Sequence, residues 1–112
     1  MIQRTRPYWI VLCAVMLSWS ELLVAAPEYR IDIKNHLFIP STVEIPAHTK
    51  VKLKIVNLDN TPEEFESYEL NREKIVVGGG KITIFIGPLA PGEYPFFGEF
   101  NPRTAQGVVI VK

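Results

Sequence analysis

Sulfur is scarce in this 112-residue chain: one cysteine, Cys13, and two methionines, Met1 and Met16. Both tryptophans, Trp9 and Trp19, lie in the same opening stretch. Beyond it there is no thiol, no thioether and no disulfide, which excludes a cysteine nucleophile and a cross-linked scaffold. An excess of one charge is missing too, with 12 basic and 12 acidic residues. No polybasic footprint follows from that balance, which argues against nucleic acid and against an anionic membrane surface as partners. After the opening stretch no sustained helical period occurs. Gly78-Gly79-Gly80 lacks the lysine and hydroxyl residue of a phosphate loop and reads as a flexible turn. Ser41 and Ser67 have no evident histidine–carboxylate constellation, which argues against a hydrolase.

What is present begins with an address. Arg4 and Arg6 precede the apolar run from Trp9 to Trp19, and Leu22 to Ala26 ends in small residues. This is the pattern of a secretory signal peptide over residues 1–25, with cleavage after Ala25 preferred because Pro27 would follow a cut at Ala26. The run is short against the roughly 20 residues of a membrane span, and Ser18, Ser20 and Glu21 interrupt it. Leu12 stands where a lipoprotein anchor at Cys13 needs a small residue. The expected mature product, residues 26–112, is one small exported domain. It buries only about 60–70% of its unfolded surface and must stand on its core alone.

That domain is written in period two. Tyr29, Ile31 and Ile33 alternate with Arg30, Asp32 and Lys34; Val51, Leu53 and Ile55 alternate with lysines; Ile82, Ile84 and Ile86 form a third apolar row. One apolar and one wetter face per run is the antiparallel pattern. Pro40, Pro46, Asn57-Leu58-Asp59-Asn60, Gly87-Pro88 and Pro91-Gly92 punctuate the runs as turns. Short strands at this spacing predict an all-β sandwich of seven or eight strands.

Four segments carry a family resemblance. Phe38-Ile39-Pro40 before Val43-Glu44-Ile45-Pro46 looks like the opening of a cupredoxin. Lys50 to Asn57 resembles the strand ending in that family's asparagine turn. Pro91-Gly92-Glu93-Tyr94 opens the last hairpin. Gly92 to Lys112 resembles the ligand-bearing strand–loop–strand. The resemblance implies a cupredoxin-like Greek-key β-sandwich without the blue-copper ligands. Glu64 stands where the family has its first histidine, Gly98 for the cysteine, and Ala105 or Gln106 for the methionine. Glu64-Phe65-Glu66 and Arg72-Glu73-Lys74-Ile75 are similar to the EfeO-type cupredoxin-like domain of bacterial iron-uptake systems. That branch implies a periplasmic iron-binding accessory of an inner-membrane iron permease, working beside other periplasmic uptake subunits and assisting ferrous oxidation or delivery.

The acidic pair supports a cation site independently. Glu64 and Glu66 are two apart on an expected strand, so both carboxylates share one side and Phe65 faces the core. Crowded carboxylates hold a proton or recruit a cation, and oxygen donors suit iron, manganese, magnesium or calcium better than the cuprous ion. In a cupredoxin-like fold Glu99 would lie beside this strand, and Glu73 would come from the crossing segment. The plainer reading of these glutamates is a solvated acidic stretch. His36, where the first strand ends, is either a solvated loop histidine or a ligand near Glu99. His48 reads as surface. Two further functions stay open: a copper carrier using His36 with carboxylates, and a metal-free adaptor or interface subunit.

Overall fold

The structure, a computed structural model, describes residues 25–112. The expected leader, residues 1–25, therefore lies outside the described residues except for Ala25. Among the described residues no helix is long and apolar enough to cross a membrane.

Among the described residues nine strands form two sheets: β1 (Glu28–Lys34), β2 (Leu37–Ile39), β3 (Thr42–Ile45), β4 (Val51–Asn57), β5 (Glu63–Ser67), β6 (Arg72–Val76), β7 (Lys81–Ile86), β8 (Gly92–Gly98) and β9 (Gln106–Val111). One sheet has the order β2-β1-β4-β7 and the other β3-β9-β8-β5-β6. The all-β sandwich is the expected one, with nine strands rather than seven or eight. The three-residue β2 is too short to show a period of its own. Two pairings, β1 with β4 and β3 with β9, are parallel. Alternation reports that one face is buried and is blind to strand direction, so the antiparallel reading did not extend to these two pairings.

The core forms where the alternating faces meet. Ile31, Ile33, Leu53, Ile55 and Ile86 from one sheet meet Phe65, Phe96, Val109 and Val111 from the other. Three rings knit the layers. Phe65 stacks on Phe96 at 5.0 Å, and Phe38 meets the Phe96 ring edge-on at 5.0 Å. Such pairs add to the area they bury. Phe96 fits only because Gly107 lies beneath it; a Cβ there would collide with the ring.

Polar residues close the loop-rich end. Buried Asn57 donates from Nδ2 to the Thr61 and Val76 carbonyls, tying the end of β4 to the opposite sheet. Its Oδ1 accepts from the Asp59 amide. Asp59 in turn accepts from the amides of Asn35 and His36, the positive-φ pair that turns β1 into β2. Two successive left-handed residues are what a tight two-residue hairpin requires. The His36 and Asn35 amide bonds hold the Asp59 carboxyl below the usual range against the opposing effect of burial.

Replacing Phe65 by alanine removes one fully buried ring of this cluster. The expected loss is about 3–5 kcal/mol of unfolding free energy, measured by denaturant titration.

Candidate metal centre

The strand β5 decides the chemistry, because its two faces carry different glutamates. Phe65 is fully buried and Glu63 is 1% exposed, so odd positions face the interior. Glu64 and Glu66 therefore project from the outer face of the five-stranded sheet. Across the ladder Glu66 pairs with Glu73 of β6 on one side and Phe97 of β8 on the other. Glu99 follows β8 and extends the ladder by one bond, its amide donating to the Glu64 carbonyl at 2.9 Å.

One carboxylate oxygen from each of Glu64, Glu66 and Glu99 lies within 4.8 Å of the others. Glu66 is only 8% exposed, and its Oε2 is buried with no hydrogen-bond partner among the described residues. Glu64 is half-buried and Glu99 is open to solvent. A hydrogen bond to the Glu73 carboxyl, then burial and the charges of Glu73 and Glu99, push the Glu64 carboxyl up to about 7. Burial, followed by the charges of Glu73 and Glu99, raises Glu66. Carboxylates crowded in this way are relieved by a shared proton or by a cation.

Of the residues singled out in the sequence, Glu64, Glu66 and Glu99 are thus brought together, with Glu73 as their cross-strand neighbour. His36 is elsewhere. It lines a hollow with Phe100, Asn101, Pro102, Arg103 and Thr104, and its Nδ1 is 3.8 Å from Asp59. Among the described residues the group able to hold a metal does not include it.

The interior side of the same strand corrects the position-by-position resemblance. Glu63, not Glu64, abuts Gly98. A Cβ built on Gly98 would stand 2.5 Å from Glu63 Cδ and 2.7 Å from the Ala105 Cβ. Alternation had assigned Phe65 to the core, and the same step places Glu63 there as well. The Glu63 carboxylate is stapled in place. Oε1 accepts from the amides of Glu64 (3.0 Å) and Phe100 (2.9 Å), and Oε2 accepts from Asn101 Nδ2 (2.7 Å). The space a blue-copper thiolate would need at Gly98 is occupied by this carboxylate, and residues 25–112 contain no cysteine or methionine. The residues present do not fit a blue-copper centre. Ser67 is likewise committed to structure, donating to the Pro95 carbonyl and accepting from the Leu70 amide.

Two outcomes follow. Glu63→Ala strands the Phe100 amide and frees the loop after β8, at a cost of about 1–3 kcal/mol for the lost buried acceptor. Hydrogen exchange should quicken at Phe100 and Asn101. Separately, the folded Glu64 carboxyl titrates above its unfolded value of 4.5, so its stabilising contribution is complete below that value. The contribution is lost as pH rises through about 7. The melting temperature of metal-free protein should therefore fall between those two pH values, and Glu64→Gln should flatten the decline.

Comparisons place the chain. It is 52% identical over 84 residues to the uncharacterized protein RP394 of Rickettsia prowazekii (strain Madrid E), covering 75% of this chain and 67% of that one. The fold is similar to auracyanin A, a "blue" copper protein from Chloroflexus aurantiacus. The TM-score is 0.68 at 10% identity, over 79% of this chain and 100% of that one. It is also similar to the metal-binding domain of the Streptococcus pneumoniae D39 Cu(I)-exporting P-type ATPase CopA. There the TM-score is 0.67 at 14% identity, over 82% of this chain and 91% of that domain. The family model for the cupredoxin-like domain matches residues 8–111, and the chain belongs to that family.

Proposed function

We propose that this cupredoxin-like domain binds a hard cation through Glu64, Glu66 and Glu99, with Glu73 beside them, and that the cation is iron. The buried, unpartnered Oε2 of Glu66, set in a triad of carboxylate oxygens within 4.8 Å, carries this reading. An anionic oxygen with no donor and little water is poorly placed until a cation or a proton reaches it. Carboxylates are hard ligands that favour iron, manganese, magnesium or calcium, whereas cuprous ion is selected by thiolate and thioether sulfur. Three protein oxygens leave coordination positions open on the solvent side through Glu99. That suits an ion which is taken up and passed on.

The Glu-aromatic-Glu pattern of residues 64–66 and its likeness to the EfeO-type branch extend the proposal to a cellular role. The domain acts in the periplasm, reached through its leader, as an accessory of an inner-membrane iron permease and its companion uptake subunits. It holds or delivers iron; assistance to ferrous oxidation requires an external electron acceptor, because the triad offers no redox-active side chain. A copper carrier is the second reading, favoured by the copper named for both similar structures above.

Calorimetric titration with ferrous ion under anaerobic conditions, ferric citrate, manganous ion and cuprous ion separates the two. Iron should bind with one site per chain, and Glu66→Gln should weaken it roughly tenfold or more. Cuprous ion binding more tightly than iron, and unaffected by Glu66→Gln, would favour the copper carrier and end the iron proposal.

A further inference from the structure

Near-zero net charge conceals a separation of charge that the fold creates. On the four-stranded sheet the buried residues of β1, β4 and β7 face the core, so their alternate neighbours face outward. Arg30, Lys34, Lys52, Lys54 and Lys81 lie on that outer face, and Lys50 joins them. Lys50 and Lys52 reach over the Phe85 ring at 4.9 and 5.8 Å. Among the described residues, Glu28 and Asp32 oppose them on the strands of that face, and Asp32 is engaged by Arg30 at 2.7 Å. The opposite outer face carries Glu44, Glu64, Glu66, Glu73 and Glu93, with Glu99 beside them; its cation Lys112 is tied to Glu44 at 2.9 Å. The domain is a two-faced plate, cationic on one sheet and anionic on the other.

We infer that the β2-β1-β4-β7 face docks on a bilayer surface containing anionic phospholipid. Three features of the face select that occupant. Its ammonium groups form a row along β4, Lys50, Lys52 and Lys54, with about 7 Å between successive side chains on one face of a strand. Mobile headgroups match a dispersed row; the opposing face of a second copy does not, because its acids converge on the compact Glu64–Glu66–Glu99 cluster. Exposed apolar side chains also stand among the lysines: Leu37, Ile39 and Phe85, 44%, 50% and 42% exposed. Lysine stems and such side chains settle at a headgroup boundary, while the ammonium heads remain with the phosphates. Finally, the anionic face is repelled from the same surface, so docking has one orientation and turns the carboxylate cluster toward the aqueous side.

Co-sedimentation of the full chain with phosphatidylglycerol/phosphatidylcholine vesicles, against pure phosphatidylcholine vesicles, tests this. The full chain should partition preferentially to the anionic vesicles. The preference should collapse at about 0.5 M salt, where screening is nearly complete within a few ångström. The double substitution Lys52→Glu/Lys54→Glu should reduce it roughly tenfold or more, since each cation near such a surface contributes on the order of a fivefold preference. The unsubstituted chain and the double variant carry the same leader, so the difference reports the sheet face. Lys112→Glu, on the other face, should leave the preference intact. Should the double variant lose its fold, Lys81→Glu at the exposed start of β7 takes its place, with a severalfold reduction expected. Equal partitioning to both vesicles, or a preference indifferent to salt and to these substitutions, overturns the inference. So does loss of self-association in the double variant without any vesicle preference, which would make a second copy the occupant.

Discussion

A single buried carboxylate organises the end of this domain where the β8–β9 loop meets β5. Glu63 sits against Gly98 and gathers three donors, the amides of Glu64 and Phe100 and the side chain of Asn101. Burial of an ionisable group is tolerated when its lone pairs are met in this way. The staple fixes the loop between β8 and β9, and with it the point where Glu99 leaves the sheet. It also sets the register of β5, since a strand with Glu63 and Phe65 inside must carry Glu64 and Glu66 outside. The interior staple and the exterior acidic cluster are two consequences of one alternation.

This arrangement divides the glutamates of β5 between the two sides of its sheet. The space beside residue 98 is filled by a protein group that needs no ion. Three further carboxylates gather on the outer surface of the same sheet, where Glu99 is open to solvent. The cost of that placement is visible in the raised Glu64 and Glu66 carboxyls and in the orphaned Oε2 of Glu66. Crowding of this kind, borne by Glu64 and Glu66, is relieved by a proton or by a hard cation.

Much of this was legible in the residues. Period two announced the sheets, the pairing of Glu64 with Glu66 on one side of Phe65 followed from alternation, and Glu99 was drawn to them by the loop it occupies. The limits have physical reasons. Side-chain alternation does not encode strand direction, so the parallel β1–β4 and β3–β9 pairs were invisible. A glutamate reads as a surface residue, so Glu63 gave no hint of its interior role, although its place two before Phe65 held the information. His36 drew attention as an imidazole, yet its left-handed backbone serves the β1–β2 turn, where Asp59 holds its amide. Charge balance counted over the chain hid the segregation of lysines and glutamates onto opposite sheets, which the alternation of Lys50, Lys52 and Lys54 already contained.

Anomalous diffraction from crystals grown with manganous or ferrous ion tests the central claim most directly. The account predicts one metal peak on the outer face, within bonding distance of Glu64, Glu66 and Glu99, with the Glu63 staple undisturbed. A peak beside His36, a metal displacing Glu63 at Gly98, or no peak at the triad would contradict it.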